Sequence, residues 1–261
     1  MEATREIYWN IGHGAVLPMY LLVTVATALM LWGFWRRVAV WRQGKQLVRW
    51  DRYEERVKRM IAEVLGQEKI FRVKDGGLFH TLFFWGFLTL FAGTLLVMLQ
   101  ADLLTPLIQV NLLSGSFYQA FSLLLDLAGL VAIVMLGGLF VRRFLTQPDG
   151  LETTDEDYRI HTLLFAILIT GFLIEGARMA ATELVQNREL ARFSPVGLLV
   201  ASAMSRITPE GLTTLHTALW WFHFALVLGF IVALPSSKLR HIFLTSANAF
   251  FAPLEEKGAL A

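Results

Sequence analysis

The chain carries five long apolar runs separated by charged segments, and this alternation limits its possible folds more than any other feature. A helix needs about 20 mostly apolar residues to cross a bilayer core of roughly 30 Å. Backbone placed in that core must satisfy its own hydrogen bonds, which helices do within one segment. The runs cover about 16–35, 78–99, 117–141, 160–182 and 214–241. Hydrophobic residues make up 56% of the 261 and charged residues 17%, with mean hydropathy +0.55, too apolar for an ordinary soluble domain. The expected fold is an all-α integral membrane protein, one domain over 1–261 built as a bundle of five transmembrane helices.

Basic residues predict its orientation. Arg36, Arg37, Arg42, Lys45, Arg49, Arg52, Arg56, Lys58 and Arg59 follow the first run, whereas 100–116 holds neither Lys nor Arg. The excess of Lys and Arg marks the cytoplasmic side, so the N-terminus is expected outside and the C-terminus in the cytoplasm. Arg142, Arg143, Lys238 and Arg240 agree, while Arg188, Arg192 and Arg206 run against the trend. Residues 1–15 lack an apolar core, so no cleaved signal peptide is expected and the first span serves as the insertion signal. Residues 49–65 read as a charged cytoplasmic surface helix, and 195–205 as a short apolar helix lying on the outer face.

The sequence has no cysteine. That excludes disulfides, an iron–sulfur cluster held by the chain's own thiolates, and covalent c-type haem. Any metal therefore falls to the six histidines, to carboxylates or to Met. Ionisable groups inside spans are costly, and each is a functional candidate. His216 and His223 lie seven residues apart in the fifth run and share a face at 100° per residue. If that helix continues past Pro235, His241 returns to the same direction and reaches the depth of His80 at the start of the second run. Two imidazoles at one depth on two helices are what a bis-histidine haem requires. The plainer reading makes His80 a helix-start residue after Gly76 and Gly77, and His241 a headgroup contact beside Lys238 and Arg240.

Asp126 in the third run, with Glu175 and Arg178 in the fourth, gathers charge toward the outer half. Glu175 and Arg178 are three residues apart and can pair on one helix face. With His216 and His223 these groups form a possible quinone and proton site. The alternative is a structural network in which Arg178 pairs with Glu175 and Asp126 bonds a neighbouring helix. His161 reads as an interfacial residue, and His13, between two glycines, as a further outer ligand candidate. Gly86 and Gly93 share a face that would admit a porphyrin or another helix.

Several stretches carry a resemblance to known families. Gly77-Leu-Phe-His80 with Phe91-Ala-Gly-Thr94, and His223 through Pro235 to His241, resemble the second and fifth helices of respiratory nitrate reductase gamma subunits. Glu2-Ala-Thr-Arg-Glu-Ile-Tyr-Trp-Asn, Ile174-Glu-Gly-Ala-Arg-Met-Ala, Phe193-Ser-Pro-Val-Gly-Leu and Leu239-Arg-His-Ile-Phe-Leu-Thr-Ser-Ala-Asn are more similar to the membrane domain of heterodisulfide-reductase-like iron–sulfur oxidoreductases. The resemblance implies b haem on helices two and five. His80 and His241 take the positions of one pair, and His223 takes the fifth-helix position of the other. Thr94 stands where the second ligand of the outer haem is expected, which leaves one haem as the reading and two as the alternative. His13 or His216 is the possible substitute ligand. Relatives continue into cysteine-rich domains, so the resemblance implies a cytoplasmic iron–sulfur subunit or C-terminal domain as partner.

Together these features describe the membrane subunit of a quinone oxidoreductase in a prokaryotic cytoplasmic (inner) membrane. It would transfer electrons between an iron–sulfur partner and the quinone pool, with menaquinone as the expected quinone. The rivals are a haem-free proton channel or transporter using intramembrane Asp, Glu and His, and a purely structural membrane anchor.

Overall fold

Each apolar run becomes one long helix in the computed structural model, which describes residues 4, 7–45, 49–73 and 76–255. The long helices are α1 (Val16–Trp41), α3 (Gly76–Leu99), α4 (Gly115–Phe140), α5 (Asp155–Ala181) and α7 (Pro209–Ala233). Three shorter ones are α2 (Tyr53–Val64), α6 (Pro195–Met204) and α8 (His241–Phe251). Among the described residues, five helices are long and apolar enough to cross a membrane. α3 and α4 each run on into a π-helical turn, Gln100–Leu104 and Val141–Thr146. We call the end where α1 finishes and α3 begins the basic end, and the opposite one the far end.

Local chemistry sets the boundaries. α5 starts with a capping box, in which the Thr154 amide donates to Asp157 Oδ2 at 2.9 Å. α7 opens on Pro209, where a missing amide proton costs nothing, and Thr208 Oγ1 accepts from the Gly211 amide at 3.2 Å. Its other end corrects the sequence reading. α7 stops at Ala233, Pro235 sits in a turn, and a 3-10 turn (Lys238–Arg240) leads into α8 at His241. Proline's missing donor and its clash with the preceding turn explain why no single helix joins His223 to His241.

The long helices pack in the order α3, α4, α5, α7, α1. Phe87 of α3 also meets Phe230 of α7, with ring centres 5.6 Å apart. Ala132, Leu136, Leu164 and Leu168 are buried at the centre, covered by Phe83, Phe87, Phe165 and Phe230. Gly86 and Gly93 serve the contact of α3 with α4. A Cβ at Gly86 would lie 2.9 Å from the Ala128 carbonyl oxygen, and one at Gly93 2.6 Å from Leu125. The outer faces are apolar. Leu21, Leu22, Val25 and Leu29 of α1 and Leu124, Leu127 and Val134 of α4 are exposed. Only 11% of α1's apolar window is buried inside the protein. Continuous exposed apolar surface of this kind needs an apolar environment to cover it.

Two short helices pack onto the long ones or onto each other in ways hydropathy does not specify. α6 does not lie on the outer face but packs along α5 and against α4. Its first turn sits beside Asp126, eleven residues into α4 and so about 16 Å from that helix's far end. Irregular backbone at such depth is tolerated only where protein buries it, and Leu190, Ala191 and Ser194 before α6 are all buried. α2 is the charged helix expected within 49–65, and it is docked on α8. Arg56 is 3% exposed, and its Nη1 donates to the carbonyls of Phe250 and Ala252 at 3.0 and 2.9 Å.

Candidate functional site

His80 lies one turn into α3 and His241 opens α8, both at the basic end. Their ring centres are 6.2 Å apart, at 51° between planes. An imidazole binds a metal ion at about 2 Å, with its ring centre roughly 1 Å farther back, so two imidazoles sharing one ion could hold their centres about 6 Å apart. The observed spacing fits that requirement. His241 Nδ1 lies 2.8 Å from the Lys238 carbonyl oxygen. A carbonyl only accepts, so Nδ1 carries the proton and a neutral ring keeps its Nε2 lone pair available. Metal-bound histidines commonly donate their other nitrogen in this way. His80 Nδ1 is buried and has no hydrogen-bond partner among the described residues.

The turn that delivers His241 is tied down from two sides. Arg37 Nε donates to the Pro235 carbonyl at 2.6 Å. Lys238 Nζ pairs with Asp157 Oδ2 at 2.7 Å, and Arg143 lies 3.3 Å from the other Asp157 oxygen. Thus α1 and α5 hold the segment that leads to His241, and Arg143, in the turn after α4, steadies Asp157. The expected pair does meet, but by a broken chain and a second helix rather than by one continuous fifth span.

His223 faces Thr170 on α5, with Nδ1 2.8 Å from Oγ1. Thr170 Oγ1 is also 2.6 Å from the Ala166 carbonyl oxygen. Its single proton goes to that carbonyl, so it accepts from His223 Nδ1–H and leaves Nε2 unprotonated. Thr94 is exposed and turns its hydroxyl onto its own Leu90 carbonyl at 3.1 Å. His216 is 3% exposed, stands edge-on to Trp9 at 4.7 Å between ring centres, and its Nδ1 has no partner among the described residues. His161 is half-buried against Phe144, with Nδ1 2.8 Å from the Asp157 carbonyl oxygen. The His13 side chain lies outside the described ones. Among the described residues, no group of three or more His, Cys, Asp or Glu gathers as a metal cluster.

The charged residues of the far half form a junction of α4, α5 and α6. Asp126 is 2% exposed, and its two oxygens accept from the amides of Val196 and Gly197 at 2.9 and 2.8 Å. It acts as an N-terminal cap supplied from another helix, where the carboxylate also faces the positive end of the α6 dipole. Glu175 accepts from Ser194 Oγ at 3.0 Å, and Ser194 meets Ser122 at 2.7 Å. Arg178 forms a buried ion pair with Glu183, five residues on, and the charge of Glu175 also acts on it. Glu183 was missed because it falls just past the apolar run. Tyr8, Tyr20 and Asp102 form another unforeseen chain at the far end, with the tyrosine hydroxyls 3.4 Å apart and Tyr20 donating to Asp102.

Comparison with known proteins places the chain in chemical company. It is 32% identical over 253 residues to an EtfAB:quinone oxidoreductase of Syntrophomonas wolfei subsp. wolfei, covering 93% of this chain and 35% of that protein. It is 26% identical over 243 residues to the probable iron-sulfur-binding oxidoreductase FadF of Bacillus subtilis, covering 93% of this chain and 33% of the relative. The chain therefore spans about a third of the length of these curated relatives. No family model and no solved structure matches it. The homologues are quinone and iron–sulfur oxidoreductases, and an oxidoreductase role is the coarse reading they support.

Proposed function

We propose that the chain is the membrane-spanning part of a quinone oxidoreductase, with b haem held by His80 and His241 at a cytoplasmic basic end. The observation that carries this is the facing of two imidazoles at haem-ligand spacing, one of them already fixed in its ligating tautomer. The similarity to relatives named for quinone and iron–sulfur chemistry supports the same reading, as does the heterodisulfide-reductase-like resemblance of the sequence. A bound haem would supply a one-electron carrier at that end. The protein's own share is to orient the two rings. The Lys238 carbonyl sets the His241 tautomer, and Arg37, Arg143 and Asp157 fix the turn beneath it.

His223 serves the quinone. Its free Nε2 accepts a proton from a quinol hydroxyl, while Thr170 holds the ring through Nδ1. About 15 Å of helix separates His223 from the end of α7, so quinone and haem work at different depths. The bundle lies in a prokaryotic inner membrane with its arginine-rich segment Arg36–Arg72 inside, by the excess of Lys and Arg there. That face docks a cytoplasmic iron–sulfur subunit or domain, and menaquinone is the quinone. The proton-channel rival is weaker because Asp126 has both oxygens committed to backbone amides.

The test is quinol oxidation by the purified chain. Adding a menaquinol analogue is expected to produce a reduced b-type spectrum in wild type and to do so far more slowly in His223→Ala at equal haem content. A well-folded preparation with no b-type spectrum contradicts the haem assignment. Equal rates in wild type and H223A contradict the quinone role.

A further inference from the structure

A cleft of about 390 Å³ opens at the basic end between α1 and the turn after α7, lined by Gly33, Arg36, Arg37, Val40, Pro235 and Ser236. Gly33 forms its floor because Pro235 approaches so closely that a Cβ there would lie 2.5 Å from the proline ring. Two guanidinium groups border the space. Arg37 spends Nε on the Pro235 carbonyl, and Arg36 rests over the Trp32 ring at 5.2 Å. Among the described residues neither has a carboxylate partner. At the same end Arg52, Arg56, Lys58, Arg59, Lys69, Arg143 and Lys238 form ion pairs, whereas Arg42, Lys45, Arg142 and Arg240, like Arg36 and Arg37, have none among the described residues.

Depth identifies the missing partner. Arg36 follows Val16, the start of α1, by twenty residues, or about 30 Å of helix, which is the thickness of a bilayer's hydrocarbon core. The cleft therefore stands at headgroup level, with Trp32, Trp35 and Trp41 exposed around it as an interfacial belt. Planar guanidinium forks match the oxygens of a phosphate bidentately, and phosphate is the anion that every phospholipid brings to that level. We propose that this cleft binds the phosphate of an anionic phospholipid from the cytoplasmic leaflet, with its acyl chains lying along the exposed apolar face of α1. The lipid thereby braces the Arg37–Pro235 contact, and with it the turn that carries His241. The proposal rests on α1 spanning a bilayer, as proposed above.

The experiment is native mass spectrometry of the full chain in detergent with added phosphatidylglycerol, phosphatidylcholine or inorganic phosphate. Wild type is expected to retain phosphatidylglycerol selectively. Arg36→Gln, which leaves the Arg37–Pro235 hydrogen bond intact, is expected to weaken that retention about tenfold, the loss of one hydrogen bond to a charged group. Arg42→Gln makes the same change in net charge outside the cleft and is expected to stay close to wild type. Equal retention of both lipids, or an equal loss in R36Q and R42Q, overturns the site. Displacement of the lipid by millimolar inorganic phosphate overturns the lipid as its ligand in favour of a free anion. Flotation of the chain with phosphatidylcholine liposomes is read in parallel. Failure to float sinks the membrane reading itself, whereas flotation without lipid selectivity sinks only the cleft.

Discussion

The two polar centres of this bundle are built in opposite ways. At the α4–α5–α6 junction the protein supplies its own partners. Asp126 faces two amides, Arg178 faces Glu183, and Ser194 links Ser122 to Glu175. At the basic end two imidazoles stand with ring centres 6.2 Å apart, and the buried His80 Nδ1 has no hydrogen-bond partner among the described residues. A buried polar group without a partner costs free energy that a structural site has no reason to carry. The first centre is thus satisfied from within the chain, and the second is not. Charge inside a membrane-like bundle is a weak pointer to function until its partners are counted.

The comparison can be broken most forcefully at the ion pair. Arg178→Leu leaves Glu183 buried with only the Thr182 hydroxyl as partner and no opposite charge, and a loss of about 3–5 kcal/mol is expected. Adding Glu183→Leu should recover most of it, because two apolar groups then replace two charges. Thermal unfolding in detergent measures both, and a double variant as weak as the single one would mean that Arg178 serves something other than Glu183. Asp126→Ala comes next, at about 3 kcal/mol for two amides left without their charged acceptor. Hydrogen exchange at Val196 and Gly197 should quicken selectively. Exchange no faster than in wild type would remove Asp126 from the role of cap.

Smaller changes sharpen the histidine side. Thr170→Val deletes the acceptor for His223 Nδ1–H at a cost of about 1 kcal/mol. Nitrogen-15 spectra of labelled histidine should then show a mixed tautomer where wild type shows protonated Nδ1. An unchanged spectrum would place the proton elsewhere. The smallest effect lies outside the spans. The hydrogen bond and charge of Arg56 hold the Asp51 carboxyl below the usual carboxylate range. A lowered pKa contributes stability that is complete above the unfolded value of about 3.9 and fades as pH falls through the folded one. Docking of α2 on α8 should therefore hold at about pH 5 and loosen below about pH 4. Limited proteolysis across that range checks it.

Much of the fold was legible in the sequence because hydropathy records what each helix must face. The runs near 16, 78, 117 and 160 became helices with boundaries displaced by a few residues. The fifth run was read too far, to 241, because periodicity was carried through Pro235, where the backbone cannot continue it. α6 was misplaced for a different reason. Ten apolar residues look interfacial until a carboxylate from another helix is known to meet their free amides. Matching depth brings His80 and His241 together as a pair, and their rings do lie near each other, although the continuous helix used to argue it is broken at Pro235. Thr170 and Glu183 gave no signal in advance, since each acts only through a contact that the folded chain creates.

The most direct test is haem content, read as a dithionite-reduced minus oxidised spectrum with pyridine haemochrome, for wild type, His80→Ala, His241→Ala and His223→Ala. The expected result is a b-type signal in wild type and in H223A, and its loss in H80A and in H241A with the fold intact. A signal that persists in both H80A and H241A, or one that disappears only in H223A, would contradict the assignment of the facing pair as the haem site.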